Sequence, residues 1–153
     1  SGMESAREES FKIVLGMYVF KHMRNHELMN DYRRCLSAAI ARNSYTSREN
    51  LIRTVLATSR PKFDVSYDYA LRMMQTMVRD EKPCPLKGMR KRQMWNEFMI
   101  HVKEMLSRRR CSLADAVATV LAEKNASRYY LSYKQASKII YHELQTRRSG
   151  CRA

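Results

Sequence analysis

The segment RTVLATSRPKFDVSYDYALRMM, Arg53 to Met74, decides the fold that the sequence predicts, because a similar segment occurs a second time. The second copy, ATVLAEKNASRYYLSYKQASKII, spans Ala118 to Ile140. Each copy contains an apolar run, a polar break, and a Ser-Tyr pair that opens a second apolar run. The copies align at a shift of 65 or 66 residues. We therefore predict that one helical unit occurs twice in the chain.

The similarity continues on the N-terminal side of both segments. Four apolar positions match at a shift of 66 residues: Met29, Tyr32, Leu36 and Ile40 against Trp95, Phe98, Val102 and Leu106. Spacings of three and four residues place such side chains on one face of a helix. The one-residue changes in shift fall in predicted loops, where insertions cost least. Each unit is therefore predicted to contain three helices, and the fold to be all-α.

Few breaks separate the predicted helices, since the 153 residues include only 4 glycines and 3 prolines. The domain organisation follows from the repeat and from the Pro- and Gly-containing segment between the copies. In chain order it comprises a purification-tag remnant (Ser1 and Gly2) with an N-terminal bridging helix in 1–28, a first three-helix unit in 29–78, a basic linker in 79–93, a second three-helix unit in 94–148, and a basic tail in 149–153.

Serine residues are predicted to begin the second and third helix of each unit. Ser47 and Ser112 precede the second helices, and Ser66 and Ser132 precede the third. A serine hydroxyl at such a position accepts a hydrogen bond from a first-turn N–H group that has no partner within the helix. Gln135, three residues after Ser132, completes a capping box.

The N-terminal helix, Glu4 to about His26, is apolar on nearly all sides. Its large apolar residues are Phe11, Ile13, Val14, Leu15, Met17, Tyr18, Val19, Phe20 and Met23. A helix of this composition is normally buried. We expect burial within the chain, as a bridge between the two units. A homodimer formed through this helix is the alternative.

Charge is the strongest compositional signal for function. The chain carries 29 Lys and Arg against 15 Asp and Glu, a net charge of +14, with an isoelectric point near 10.0. Residues 79–153 hold 17 basic and 7 acidic side chains, whereas residues 1–78 hold 12 and 8. Such an excess predicts a polyanionic partner. Nucleic acid is the leading prediction, and an acidic protein or an anionic membrane surface would account for the same charge.

Basic clusters in the second half of the chain are the predicted phosphate-binding residues. Two clusters flank a helix predicted over 93–106: Lys87, Arg90, Lys91 and Arg92 before it, and Arg108, Arg109 and Arg110 after it. A basic tail adds Arg147, Arg148 and Arg152. Phosphate contacts by such residues release counterions, so binding should weaken steeply with salt. Alternatively, each run only forms solvated surface.

The second and third helices of each unit partly resemble a helix-turn-helix motif. In the second unit, Lys134, Gln135 and Lys138 fall on exposed positions of the third helix and are the predicted contacts to base edges. The turn before the third helix has eight residues in the first unit and nine in the second, longer than the three or four of the motif. This partial resemblance favours DNA over RNA as the target.

The phrase SRENLIRTVLATSRPKFDVSY, residues 47–67, is similar to segments of small, basic, uncharacterised helical proteins of bacteria, some of them encoded near mobile elements. The resemblance covers the cores of the two units, Ser47 to Met74 and Ser112 to Ile140. It implies a small helical bacterial protein and no particular activity.

No catalytic motif is visible, so we predict a protein that is not an enzyme and needs no cofactor. His22 and His26 share one helical face, as zinc ligands would, but a third ligand is missing and no metal site is predicted. Scattered cysteines without a CxxC pair indicate a reduced, cytoplasmic protein. Cys84, between two prolines, is expected to be exposed. No apolar run is long enough to span a membrane.

The alternative function is a helical protein–protein adaptor. Phe63 and Tyr129 occupy equivalent turns of the two copies and would dock an acidic partner, while the basic surface steers its approach. The same rings would instead be core residues if the turns pack against the helices.

Overall fold

A computed structural model describes residues 2–44 and 46–150, except the side chains of residues 12–14, 17, 18, 149 and 150. The helices, in chain order, are α1 (Gly2–Ala41), α2 (Arg48–Thr58), α3 (Tyr67–Met74), which a π-helical segment (Gln75–Arg79) continues, α4 (Met89–Arg108), α5 (Leu113–Glu123) and α6 (Tyr133–Gly150). Between helices, Lys62 and Asn125 form an antiparallel β-bridge. The described chain is all-α, which confirms the predicted fold class.

Helix α1 continues without interruption through the boundary predicted at residue 28. Neither proline nor glycine occurs between residues 17 and 60, and Leu28 and Met29 are both buried. Nothing in the local sequence therefore breaks the helix. The expected N-terminal helix and the first helix of the first predicted unit form one helix of 40 residues.

The chain divides into two compact units, and neither unit is a continuous segment. Unit I comprises Ser1–His22 with Lys62–Ala126, and unit II comprises Met23–Pro61 with Ser127–Ala153. Unit I therefore holds α3, α4 and α5 with the first part of α1, whereas unit II holds α2 and α6 with the second part of α1. This grouping differs from the continuous units expected at 29–78 and 94–148.

The difference concerns the third helix of each predicted repeat. Helix α3 follows α2 in sequence but belongs to unit I, and α6 follows α5 but belongs to unit II. Ala70 and Met74 of α3 are fully buried, as are Ala136 and Ile140 at the equivalent positions of α6. Because the two third helices carry similar apolar faces, the residue pattern does not specify which pair of helices each one covers.

The predicted serine caps are present at the start of α2, α3, α5 and α6. Ser47, Ser66, Ser112 and Ser132 each accept a hydrogen bond from the backbone N–H group three residues ahead, at 3.0–3.2 Å. These bonds satisfy donors that the helix itself leaves unpaired. The helix starts predicted from these residues are therefore confirmed.

Aromatic rings form the centre of unit I. Trp95 and Phe98 of α4 are buried, and their ring centroids lie 5.6 Å apart in an edge-to-face arrangement. The Phe63 ring meets the edge of Phe98 at 5.2 Å, and Tyr69 of α3 meets Trp95 at 5.5 Å. Such pairs are favourable beyond the apolar area they bury. They connect α3, and the turn before it, to α4.

The core of unit II draws on all three of its helices. Its buried residues are Leu28, Met29, Tyr32, Ala39, Leu51, Ile52, Val55, Tyr129, Ala136 and Ile140. Asp31 is also buried; it accepts a hydrogen bond from the Tyr129 hydroxyl and forms an ion pair with Arg34 at 3.1 Å. A buried carboxylate requires such partners. Asp31 thereby fixes the turn before α6 onto α1.

The apolar residues in the first part of α1 are not buried as expected. Phe11, Leu15, Val19 and Met23 are 68%, 51%, 45% and 50% exposed. The expectation of burial within the chain is therefore wrong for these four side chains. Four other residues of the expected apolar helix, Ile13, Val14, Met17 and Tyr18, lie outside the described side chains.

Another face of α1 lies against α3, which explains this exposure. Glu9 forms an ion pair with Arg72 of α3 at 2.7 Å. A Cβ atom on Gly16 would lie 3.3 Å from the Cβ atom of Ser66, so the two backbones approach closely there. Residues 9 and 16 share one face, and Leu15 lies roughly a third of a turn away from it. Phe11, Leu15 and Val19 therefore point away from the contact with α3.

Candidate nucleic-acid interface

The predicted phosphate-binding clusters lie at the two ends of α4. This helix begins at Met89, four residues earlier than expected, so Arg90, Lys91 and Arg92 belong to its first turns rather than to the linker. Arg108 is its last residue, about 27 Å from Arg90 at about 1.5 Å per residue. The side chains of Lys87, Arg90, Lys91, Arg92, Arg108, Arg109 and Arg110 are all exposed.

The two clusters differ in what they do for α4 itself. A helix carries a partial positive charge at its N-terminus and a partial negative charge at its C-terminus. Arg108 therefore stabilises the end of α4. Arg90, Lys91 and Arg92 lie where the helix favours acidic residues, and its first turn contains none. Helix stability does not explain this N-terminal cluster, whereas an anionic partner would.

Lys134 and Lys138, two of the predicted base contacts, lie on the exposed side of α6. With Tyr141, Gln145 and Arg148 they follow the spacing i, i+4, i+7, i+11 and i+14, which keeps them within an arc of about 80° around the helix. All five side chains are exposed. We call this surface, formed by Lys134, Lys138, Tyr141, Gln145 and Arg148, the α6 face.

Gln135, the third predicted base contact, has a structural role instead. Its Oε1 atom accepts a hydrogen bond from the N–H group of Ser132 at 2.9 Å, and its own N–H group donates to the Ser132 hydroxyl at 3.0 Å. This reciprocal pair is the predicted capping box. Because the side chain is held against the start of α6, Gln135 does not belong to the α6 face.

The grouping of the helices moves the excess of basic charge to unit II. Unit II has 13 Lys and Arg against 4 Asp and Glu, a net charge of +9, whereas unit I has 16 against 11, a net charge of +5. Counting by halves of the sequence had placed most of the excess in 79–153. The result changes because arginines between residues 24 and 60 join α6 in unit II. They are Arg24, Arg33, Arg34, Arg42, Arg48, Arg53 and Arg60.

The carboxylates of unit II do little to offset this charge at the α6 face. Asp31 is buried, and Glu49 forms an ion pair with Arg53 of α2 at 3.1 Å. Glu143 is half-buried on another side of α6, and Glu27 belongs to α1. Three of the five residues of the α6 face are basic, and none is acidic.

Arginine side chains of α2 lie over tyrosine rings of α6. The Arg48 guanidinium carbon is 4.8 Å from the ring centroid of Tyr141, and that of Arg53 is 4.4 Å from the ring centroid of Tyr133. Such cation–π contacts order the guanidinium group. Hydrogen bonding to the Tyr141 hydroxyl also raises the pKa of Arg48. Tyr141 is still 41% exposed, so part of its ring remains open to solvent.

The sequence pattern does not predict the Arg48–Tyr141 pair, because the predicted repeat assigns α2 and α6 to different units. One available signal was the spacing of Tyr133 and Tyr141, which puts two aromatic rings eight residues apart along a basic helix.

The helix-turn-helix and adaptor interpretations are not supported by the positions of their residues. Helices α2 and α3 belong to different compact units, as do α5 and α6, so neither pair forms a motif within one unit. Phe63 and Tyr129, the expected docking residues of an adaptor, are only 5% and 6% exposed. Both rings are core residues and present little surface to a partner.

The positions of the described cysteine and histidine residues bear on two further predictions, the exposure of Cys84 and a zinc site at His22 and His26. Cys84 is buried, which corrects the expectation that flanking prolines leave it exposed. Burial, with a smaller effect of the nearby Cys84, raises the pKa of Tyr69, so the thiol lies close to the aromatic core of unit I. His22 and His26 are exposed. Within the described residues, no three His, Cys, Asp or Glu side chains are grouped to hold a metal ion.

No protein-family model, curated protein or solved structure matches the chain. The resemblance to small basic bacterial proteins therefore stays a prediction. Over residues 2–44 and 46–150, no helix combines the length and the apolar character needed to cross a membrane.

Proposed function

We propose that the protein binds nucleic acid, without a catalytic role, and that the α6 face of unit II is the principal contact. The observation that carries the proposal is the net charge of +9 on unit II, combined with Lys134, Lys138 and Arg148 on one exposed helix face. Basic side chains in this arrangement displace condensed counterions from a phosphate backbone.

The length of the α6 face suits an extended polyanion. From Lys134 to Arg148 the helix rises about 21 Å, at about 1.5 Å per residue. A DNA duplex carries one charge per about 1.7 Å of its axis, so a face of this length spans several phosphates. A small acidic ligand would leave most of it unused.

The two clusters of α4 form a second set of phosphate contacts in this proposal. Lys87 and Arg90 to Arg92 lie at one end of the helix, and Arg108 to Arg110 at the other. The N-terminal cluster is the more strongly supported set of phosphate contacts, because its positive charges do not stabilise α4. Contacts of this kind position a nucleic acid but do not read its sequence.

The Arg48–Tyr141 pair extends the proposal to unpaired bases. Bases of single strands stack on exposed aromatic rings and on guanidinium planes, whereas bases within a duplex are already stacked. Tyr141 offers an open part of its ring beside Lys138. The preference for DNA rested on the helix-turn-helix resemblance, whose helices belong to different units. The proposal therefore names single-stranded nucleic acid as the preferred form, either DNA or RNA.

The test is a salt titration of binding to single-stranded DNA, duplex DNA and single-stranded RNA, followed by fluorescence anisotropy. We expect the logarithm of the affinity to fall linearly with the logarithm of the salt concentration, with a slope that reports the number of phosphate contacts. Affinity that does not change with salt would contradict the proposal. Absence of binding at low salt would also contradict it and would direct the search to an acidic protein partner.

Two triple variants, one in the α6 face and one outside it, distinguish the contribution of the α6 face to binding from that of the general positive charge. Lys134→Gln, Lys138→Gln and Arg148→Gln together should weaken binding and lower the salt slope by up to about 2.1 on single strands, at about 0.7 per phosphate contact, and by up to about 2.7 on duplex DNA, at about 0.9 per contact. The control replaces Lys82, Lys103 and Lys124, which are exposed in unit I and outside the clusters, by Gln. It removes the same net charge. Equal losses in the two variants would show that the α6 face is not a defined contact.

A further inference from the structure

The exposed part of α1 has a residue pattern that the proposed function does not use. Glu8, Phe11, Leu15, Val19 and His22 follow one another at steps of three or four residues and lie within an arc of about 80°. All five side chains are exposed. We call this surface, formed by Glu8, Phe11, Leu15, Val19 and His22, the α1 stripe.

The α1 stripe is symmetric about its central residue. Phe11 and Val19 lie four residues on either side of Leu15, and Glu8 and His22 lie seven residues on either side. A twofold axis through Leu15 therefore relates each apolar position to another apolar position. It relates the acidic end of the stripe to the end that carries an imidazole.

We propose that two copies of the chain associate in antiparallel orientation through the α1 stripe. In this arrangement Leu15 of one copy lies on Leu15 of the other, and Phe11 lies on Val19 of the other copy. Apolar surface that is exposed in the single chain is thereby removed from water. The contact is isologous, so one surface serves both copies and the assembly closes as a dimer.

The charged ends of the stripe determine the orientation. Antiparallel pairing places Glu8 of each copy opposite His22 of the other, where the carboxylate can accept a hydrogen bond from the imidazole. Parallel pairing would place Glu8 against Glu8, and like charges in contact disfavour association. The stripe is therefore complementary to a second copy in one orientation only.

The contact with α3 leaves the stripe available to a second copy. The ion pair of Glu9 with Arg72 and the close approach of Gly16 to Ser66 use a different face of α1. Both contacts hold this part of α1 on unit I while the α1 stripe points away. Dimerisation thus requires no helix to leave its place.

The first test measures the mass of the full chain across a concentration series by size-exclusion chromatography with light scattering, without nucleic acid. We expect the mass to rise from 18.1 kDa towards twice that value as the concentration increases. Leu15→Glu places two carboxylates on the twofold axis and should raise the dimer dissociation constant by at least about tenfold. A mass of 18.1 kDa at every concentration would overturn the proposal.

A matched control and a charge exchange complete the test. Ile100→Glu makes the same type of change at an exposed residue of α4 and should leave the dimer intact; equal effects of the two variants would refute the role of the stripe. Glu8→Arg should weaken the dimer, and adding His22→Glu should restore it, since each Arg then faces a Glu. No restoration would rule out the antiparallel orientation. These measurements contain no nucleic acid, so their outcome is independent of the proposed function.

Discussion

Unit I and unit II differ more in charge than in architecture. Both are built from helices with apolar cores, but unit I combines 16 basic with 11 acidic residues, whereas unit II combines 13 with 4. Unit I is centred on the rings of Trp95 and Phe98, and unit II presents the Arg48–Tyr141 pair beside a basic helix face. The distribution of charge follows the folded units rather than the halves of the sequence, because unit II joins residues from both halves.

The largest expected effect is a loss of stability in unit I that leaves the binding surface of unit II intact. Trp95→Ala removes a buried ring that contacts both Phe98 and Tyr69, and should lower the free energy of unfolding by about 3–5 kcal/mol. Urea denaturation followed by circular dichroism measures this change. At urea concentrations below its unfolding transition, the variant should bind single-stranded DNA with an affinity close to that of the wild type. A large loss of affinity in folded Trp95→Ala would show that unit I carries the binding surface.

A second comparison sets the basic residues of the two units against each other. Replacing Lys134, Lys138 and Arg148 by Gln should weaken binding by about 10–100-fold at low salt, since several phosphate contacts are lost. Replacing Arg90, Lys91 and Arg92 by Gln removes the same charge from unit I and should weaken binding less. Anisotropy titrations at one salt concentration compare the two. A larger loss from the α4 variant would reverse the assignment of principal and secondary contacts.

A third prediction sharpens the role of the aromatic ring in unit II. Tyr141→Leu keeps an apolar side chain but removes the stacking surface, and should cost about 1–3 kcal/mol in binding to single strands. Duplex binding should change much less. Tyr141→Phe keeps the ring and loses only the hydroxyl that bonds to Arg48, so it serves as the control and should retain the preference for single strands. Equal losses on single strands and duplexes would refute base stacking.

The smallest expected effect is the loss of stability when a serine cap is removed, and it can be measured in both units. Ser132→Ala removes the cap of α6 and should lower the free energy of unfolding by about 1 kcal/mol. Ser112→Ala removes the corresponding cap of α5 in unit I and should cost a similar amount. Only Ser132→Ala should also weaken nucleic-acid binding, because it loosens the first turn from which Lys134 projects. Thermal unfolding and anisotropy together check both effects.

The sequence predicted the features of the fold that depend on near neighbours in the chain. The four serine caps, the all-α class and the apolar faces of α4 and α5 follow from spacings of three or four residues, so a single sequence contains the information. The pairing of α3 with α4 and α5 depends on residues far apart in sequence. Equivalent apolar faces on α3 and α6 made both pairings compatible with the pattern.

The candidate interface likewise has features that depend on near neighbours in the chain and features that depend on distant residues. Exposure of Lys134 and Lys138 was predicted correctly, because it depends on which side of one helix is apolar. The stacking of Arg48 on Tyr141 joins residues 93 positions apart and requires the fold to be known. Two predictions were made for Gln135, a helix cap and a base contact, and its side chain forms the cap. Phe11 and Leu15 were expected to be buried, because composition alone does not distinguish a helix of the core from a helix with an exposed apolar face.

The exchange of third helices has a consequence for synthesis on the ribosome. Helix α2 ends at Thr58, but α6, which shares its compact unit, begins at Tyr133, 75 residues later. At translation rates of about 5–20 residues per second, about 4–15 s pass between the synthesis of α2 and that of α6, which covers the apolar faces of α1 and α2. During that interval the nascent chain exposes Ile52 and Val55, which are fully buried in the finished protein. The helices of unit I are complete when α5 ends at Glu123, before α6 of unit II is synthesised, although α2 of unit II precedes α3, α4 and α5 in the chain.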